Sequence, residues 1–508
     1  VANSPLSSGF ITSFGTLVSR IFGMLRDIIF AYTFGSSSDM DAFLIAFKIP
    51  NFFRRMFAEG AFTQSFLPVL IEFQTKEDEQ QLRIFLSNVL GLLISAVGMV
   101  TLLGILFPTP FVLLFAGGIA RNAEQLALAT SMLRITFPYL LFITLTSYYI
   151  ALQHSHNRFA VPAFTPIILN LVIISCALYL HTQPPIMALA WGALIAGILQ
   201  LLVQLPFSTL TLPKFRLRIH PSIHRFIRLI LPAIISSSVV QLNILIDLAI
   251  ASFLVVGSIS WLYFADRIIY LPVSLFGLAI TVVVLPYLSR SYQRKLSDRY
   301  SSILSWGIHL ALILSLPAAL GLILLAKPIT ITIYQHGAFS IESASQTSAA
   351  IQAYALGLPA FILIKILSSA FFARQNAKTP LKIAAICTLV SIATSLTLIW
   401  FLAHVGLALA TSIGAILNAS LLAFILYRNK ILILRQATFR LLGQIGIALI
   451  ILGLLVSYIA PRTSHWATMP TTQQVFWLAI TIFPAALVYF LCLFATGLKW
   501  HSINPRWN

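Results

Sequence analysis

A chain of 508 residues that is 59% hydrophobic and only 9% charged, with a mean hydropathy of +0.94, excludes an ordinary water-soluble globular domain. Its net charge of +19 would suggest nucleic acid in a soluble protein, but no aromatic stacking platform accompanies the basic residues, so no nucleic-acid partner is expected. Cys176, Cys387 and Cys492 lie apart inside apolar stretches, which excludes a disulfide framework or a cysteine metal site.

Apolar runs of about 20 residues recur from end to end, each enough to span ~30 Å of hydrocarbon as a helix. They predict an all-α polytopic membrane protein. About 14 transmembrane segments are expected, at 8–35, 39–72, 83–107, 124–153, 159–181, 186–207, 224–255, 260–290, 299–325, 343–374, 380–402, 406–427, 438–459 and 473–496. A β-barrel would show short alternating stretches instead. The first segment is too long and too charged for a signal peptide and is expected to be retained. Of the 32 Lys and Arg, 21 fall at or in the connections after even-numbered segments or in the C-terminal tail, against three (Arg121, Lys327 and Arg462) after odd-numbered ones. This positive-inside bias predicts that both termini are cytoplasmic. Trp191, Trp261, Trp400 and Trp477 then fall at outer ends, as interfacial anchors should.

The remaining eight cations lie inside segments, where an ionised side chain costs ~3 kcal/mol or more near the bilayer centre. Segment 1 carries Arg20 and Asp27 seven residues apart, on one face, with Arg26 beside Asp27. The loop that follows is short, and Ser38 or Asp39 can cap segment 2. Segment 2 holds Asp41, Lys48 and Arg55 at spacings of seven, then Glu59, a polar stripe on an apolar helix. Pro50 should kink or break it, because proline removes the hydrogen bond to Ala46. Arg134 reads as a snorkelling residue in segment 4. The stretch KFRLRIHPSIHRFIR between segments 6 and 7 is basic and partly amphipathic, suited to an anionic membrane surface.

Segments 7 and 8 repeat the opening. Gly35, Ser36, Ser38 and Pro50 align without a gap on Gly257, Ser258, Ser260 and Pro272, at an offset of 222 residues. The second copy brings Asp266 and Arg267, with Asp247 one segment earlier. Six segments separate the copies, so the repeats are parallel, a common transporter plan. Lys365 in segment 10 is a further lone cation.

Deep cations (Arg20, Arg26, Lys48, Arg54, Arg55, Arg267, Lys365) outnumber deep acids (Asp27, Asp41, Glu59, Asp247, Asp266). Two readings stand: structural ion pairs, or a wet cationic cavity for an anionic ligand such as a phosphate, which guanidinium binds bidentately. Asp27 and Asp266 each adjoin an Arg that they are placed to orient. Asp247 with Ser391, Ser395 and Thr411 makes a candidate sodium site of one carboxylate and three hydroxyls, although such hydroxyls more often bond to backbone. Asp39-Met40-Asp41 matches a DxD metal motif, but capping explains Asp39. No catalytic arrangement, Gly-rich phosphate loop or ATP-binding domain is present, so no enzyme is expected.

The stretches SRIFGMLRDIIFAYTFG, DAFLIAFKIPNFFRRMFAEGAFTQSFLPVL, ITFPY, NRFAVPAF, SISWLYFADRIIYLP, ARQNAKTP and LNASLL closely resemble the MurJ (MviN) family of lipid II flippases, within the multidrug/oligosaccharidyl-lipid/polysaccharide exporter superfamily. The resemblance implies two six-helix lobes in a V, residues 1–210 and 224–428. A basic linker at 211–223 joins them, and 429–508 contains two further helices that form a groove for a lipid tail. It implies that Arg20, Arg26, Asp27, Asp41, Lys48, Asn51, Arg54, Arg55, Glu59, Asp266, Arg267 and Lys365 meet substrate. It also suggests sodium at Asp247, Ser391, Ser395 and Thr411 as the one candidate cofactor.

The expected function is to move lipid II, the undecaprenyl-pyrophosphate disaccharide-pentapeptide, from the cytoplasmic to the periplasmic leaflet by alternating access. That places a monomer in the bacterial inner membrane, among membrane lipids, in peptidoglycan synthesis, cell-wall biogenesis and cell shape. The alternatives are export of another polyprenyl-pyrophosphate-linked oligosaccharide, drug export, and polyprenyl-phosphate enzymology. Drug export would favour acidic and aromatic walls, and the enzyme would need paired acids for a metal.

Overall fold

The computed structural model describes residues 5–58, 61–76, 79–207, 221–433 and 436–498. Regular structure among them is helical throughout, with no strand. Contacts divide the chain into two compact units, residues 1–260 and 261–508, with the boundary inside one helix.

The first unit holds α1 (Pro5–Phe34), α2 (Ser38–Phe57), α3 (Ala61–Lys76), α4 (Glu79–Leu106), α5 (Pro108–Ala116), α6 (Ala123–Thr136), α7 (Tyr139–Ser155), α8 (Ala160–Tyr179), α9 (Met187–Gln204) and α10 (Pro221–Ala251). Helix α1 packs on α8, α8 on α9, α2 on α6, and α10 on α2, α3 and α5. A buried aromatic cluster joins α3, α4, α7 and α10: the Phe66 ring lies 6.0 Å from Phe85, 5.5 Å from Tyr148 and 6.0 Å from Phe226. The Tyr148 hydroxyl donates to the Leu86 carbonyl at 3.1 Å, which lets an aromatic body be buried without orphaning its polar end. Helix α5 was not expected from the sequence. Pro108 at its first position has no N–H to lose there and presets the helical φ, and Phe111 packs on Phe53 and Phe137.

The second unit begins within α11 (Ser258–Pro272) and continues with a π-helical turn (Val273–Gly277), α12 (Leu278–Gln293), α13 (Ser297–Tyr334), α14 (Ile341–Phe372), α15 (Lys378–Arg428), α16 (Gln436–Ile459), α17 (Thr463–Trp466) and α18 (Thr471–Ala495). Helix α15 folds back on itself at Ala403, whose φ of 47° and ψ of −129° are not helical. Ser391 Oγ donates to the Ala410 carbonyl at 3.2 Å across the hairpin. Segments 11 and 12 of the sequence reading are its two arms. Helices α16 and α18 pair with each other and pack on α13, where the buried Tyr489 hydroxyl donates to the Ile313 carbonyl at 3.0 Å.

Ten helical stretches among the described residues are long and apolar enough to cross a membrane. Large apolar side chains stand outside them, including Trp400 at 85%, Phe401 at 84% and Tyr458 at 89% exposure. Water would penalise such a surface and hydrocarbon does not, so this is a multi-pass membrane protein. Trp261 departs from the interfacial role expected of it: it is buried in the second unit, its ring 4.9 Å from that of His404.

Of the kink or break expected at Pro50, the break does not occur. Helix α2 runs unbroken through the buried Pro50 and ends instead at Phe57. The Ala46 carbonyl that Pro50 cannot serve accepts from Thr136 Oγ1 at 2.8 Å, and the Phe47 carbonyl accepts from Asn51 Nδ2 at 2.7 Å. Neighbouring side chains thus re-satisfy the backbone, as apolar surroundings require. Thr136→Val should therefore cost about 1–3 kcal/mol by stranding a buried carbonyl, and Thr136→Ser should cost much less. Thermal unfolding of the purified variants in detergent measures both.

Candidate functional site

Helix α1 contributes Arg20, half-buried, and the buried pair Arg26 and Asp27. Arg26 Nε and Nη2 both donate to Asp27 Oδ1, at 3.1 and 2.8 Å, and Nη1 donates to Asn170 Oδ1 of α8 at 3.0 Å. The guanidinium also lies 5.4 Å from the Phe30 ring. Asn170 is fixed in turn by donating Nδ2 to the Ser19 carbonyl at 3.2 Å. Asp27 thus orients its sequence neighbour Arg26. A buried ion pair is tolerated when further hydrogen bonds complete it, and Asn170 supplies one. Nothing in the charge pattern pointed to Asn170. The available signal was an amide in the apolar run FTPIILNLVII, since a buried polar group must find a partner.

Helix α2 presents Asp41, Lys48, Asn51, Arg54 and Arg55. Its N-cap is Ser37, which accepts from the Met40 amide at 3.2 Å, rather than Ser38 or Asp39. Asp41 is buried, and its carboxylate reaches the start of α11. It accepts from the Gly257 amide at 2.7 Å, the Ser260 amide at 2.9 Å and the Ser260 hydroxyl at 2.6 Å. The two aligned glycines both take the left-handed conformation, with φ of 64° at Gly35 and 94° at Gly257, which glycine adopts without strain. Where the first copy has Ser37 to cap its helix, the aligned position of the second copy is Ile259, which offers no acceptor, and Asp41 supplies one from another helix. An anion at a helix N-terminus is favoured by the unpaired amides and by the helix dipole.

Further along α2, Lys48 is half-buried. Arg54 Nε donates to Asn51 Oδ1 at 2.9 Å, so the asparagine that holds the Phe47 carbonyl also aims an arginine. Arg55 is exposed, and its Nη1 donates to Gln241 Oε1 of α10 at 3.0 Å. Glu59 lies outside the described residues, as does most of the basic linker.

In the second unit Asp266 is exposed and Arg267 is half-buried. Arg267 Nη2 donates to the Tyr263 hydroxyl at 3.3 Å, and its guanidinium sits 4.8 Å from the Tyr263 ring. One turn after Arg267, Pro272 leads into the π-helical turn, a distortion frequent at functional sites. Half-buried Lys365 of α14 lays its stem over Gly277 in that turn, where a Cβ would come within 2.9 Å of Lys365 Cδ.

Of the candidate sodium ligands, Asp247 Oδ2 accepts from Asn243 Nδ2 at 3.1 Å. Ser391 and Thr411 donate to the carbonyls of Ala410 and Leu407, at 3.2 and 3.0 Å. Ser395 Oγ is buried without a hydrogen-bond partner. The hydroxyl oxygens of Ser391, Ser395 and Thr411 keep lone pairs of the kind a hard cation takes. No group of three or more His, Cys, Asp or Glu comes together among the described residues.

Three comparisons bear on what this arrangement does. The profile of the family described as "Lipid II flippase MurJ" matches residues 30–477. The chain is 37% identical over 510 residues to the "Probable lipid II flippase MurJ" of Haemophilus influenzae, covering 97% of this chain and all of the relative. It is 34% identical over 504 residues to the "Lipid II flippase MurJ" of Burkholderia cenocepacia, covering 97% of each. Among solved structures, "Lipid II flippase MurJ, inward closed conformation" superposes with a TM-score of 0.83 at 30% identity, over 95% of this chain and 98% of that one. An inward-facing multidrug transporter of the MATE family superposes with a TM-score of 0.69 at 12% identity, over 81% and 94%; that likeness is one of fold.

Because Asp41 caps α11 across helices, Asp41→Ala should lower stability by about 1–2 kcal/mol or more. Asp41→Asn, which keeps an acceptor, should lose less, and Ser260→Ala, which forfeits only the hydroxyl contact, less again. That ranking in thermal midpoints checks the assignment.

Proposed function

The chain belongs to the MurJ family of lipid II flippases, and on that premise we propose that it carries lipid II from the cytoplasmic to the periplasmic leaflet of the bacterial inner membrane. It is a transporter, not an enzyme. The observation that carries the reading is the cationic stripe Lys48, Arg54 and Arg55 on a helix inside the span that the family profile matches.

Lipid II presents a pyrophosphate, a disaccharide and a peptide to the protein and leaves a long polyprenyl chain in lipid. Guanidinium groups bind phosphate oxygens bidentately and hold the charge without titrating. In the proposed mechanism Arg20, Arg54, Arg55 and Arg267 meet the pyrophosphate. Arg26, held by Asp27 and Asn170, contributes fixed positive charge. Lys48 and Lys365 add mobile ammonium groups, and Asn51 aims Arg54. Asp41 keeps the start of α11 in place, and Asp266 and Glu59 are proposed substrate contacts. The tail stays in lipid along α16 and α18. Alternating access then exposes the headgroup to one side of the membrane and afterwards to the other. Net charge moving with the headgroup couples transport to the membrane potential, at ~2.3 kcal/mol per unit charge per 100 mV.

Asp247, Ser391, Ser395 and Thr411 supply the hard oxygen donors that a sodium ion would require, and the proposed protein is a monomer with both termini in the cytoplasm. Replacing external sodium with choline should slow translocation, and Asp247→Asn should abolish that sodium dependence. Equal rates in both media would remove sodium from the proposal.

In cells whose own flippase has been switched off, this chain should restore lipid II to the outer leaflet, as read by labelling of externally accessible lipid II. Arg26→Ala and Arg267→Ala should each abolish the signal at unchanged expression and membrane insertion. A fully active double variant would overturn the site assignment. No flipping from well-inserted wild-type protein would overturn the substrate.

A further inference from the structure

One pocket lies away from every residue assigned above. It measures about 180 Å³ and is lined by Tyr292, Phe371, Arg374, Asn376 and Asn429, all at helix ends of the second unit. Tyr292 is in the last turn of α12, Phe371 in the last turn of α14, Arg374 and Asn376 in the α14–α15 connection, and Asn429 just past α15. The volume equals several waters at ~30 Å³ each, room for a phosphate and its ester carbons.

The walls are held firmly. Asn376 Oδ1 accepts from the Thr379 amide at 3.2 Å, and its Nδ2 donates to Thr379 Oγ1 at 2.9 Å, which fixes the start of α15. The Arg374 guanidinium rests 5.7 Å from the Tyr292 ring centroid. No carboxylate pairs with Arg374 among the described residues. The adjoining helix ends add Arg290, Arg294, Lys295, Arg299, Lys378, Lys382, Arg428 and Lys430. Against these, the same stretches hold one acid, Asp298 in the first turn of α13. Large apolar side chains at and next to the lining residues in sequence, Tyr292, Leu296, Phe372 and Tyr427, are exposed.

A guanidinium beside an aromatic ring, without an acidic partner among the described residues, in a pocket whose lining stretches are rich in cations calls for an anion with oxygens to share. The exposed apolar rim calls for a ligand that brings hydrocarbon with it. Basic pockets between membrane helices bind anionic lipid headgroups on these terms. We propose that this pocket binds the phosphodiester of an anionic phospholipid, with Arg374 as its principal ligand and Tyr292 and Phe371 against the glycerol. Its placement in the inner leaflet rests on the orientation proposed above; binding itself does not.

The test is native mass spectrometry of the full chain in detergent, titrated with phosphatidylglycerol and, separately, with phosphatidylcholine of the same chain length. Wild type should retain one phosphatidylglycerol in preference to phosphatidylcholine. Arg374→Ala should weaken that retention roughly tenfold, the loss of a charge-assisted contact, and Arg299→Ala should not. Equal retention in wild type and Arg374→Ala would overturn the proposal. Should Arg374→Ala fail to fold, Arg374→Lys serves instead, since it keeps the charge and loses the planar fork; unchanged binding there would overturn it equally. Displacement of phosphatidylglycerol by millimolar inorganic phosphate would reassign the pocket to soluble phosphate compounds and sink the lipid assignment. The assay contains no lipid II, so its failure leaves the flippase reading untouched, and the cellular flipping assay fails or succeeds independently of it.

Discussion

Hydrocarbon offers no hydrogen bonds, so polar groups in these helices have to be served from inside the protein. That constraint organises the first unit. Arg26 carries a positive charge into a buried position and is held there by Asp27 and Asn170. Pro50 strips the Ala46 carbonyl of its helical donor, and Thr136 replaces it from α6. Asp41 brings a carboxylate to the first turn of α11, where unpaired amides would otherwise stand. In each case the answer comes from a helix distant in sequence, so satisfying the polar groups also fixes which helices are neighbours.

The internal repeat shows one plan carried out in two ways. Both copies begin with a glycine at positive φ followed by a helix. The first is capped by its own Ser37, the second by Asp41 of the first copy. Both carry a proline at the aligned position. Helix α2 continues through Pro50 with help from Thr136 and Asn51. After Pro272 the backbone widens into a π-helical turn, and Lys365 lies across Gly277 within it. One aligned pattern has thus been given different polar partners.

The cationic residues differ in what they touch. Arg26 donates twice to Asp27 and once to Asn170 and lies against the Phe30 ring, whereas the contacts of Arg54, Arg55 and Arg267 include the neutral groups of Asn51, Gln241 and Tyr263. A locked charge shapes the field at a site.

The sequence by itself determined that this is a helical membrane protein, because the length and apolarity of the runs follow directly from bilayer thickness. It also showed the aligned repeat of Gly35 to Pro50 on Gly257 to Pro272 and the charged stripes of α1 and α2, since spacing along a helix sets which residues share a face. Only the tertiary structure decided what those charges meet. Asp27 pairs with its neighbour Arg26 and not with the residue seven positions back, because Asn170 of α8 completes the guanidinium's bonds. Asp41 serves a helix more than two hundred residues away, and Trp261 turns inward to His404. Helix α2 continues through Pro50 and ends at Phe57. Whether a proline breaks a helix depends on a donor from a neighbouring helix, and neither helical periodicity nor composition records who that neighbour is.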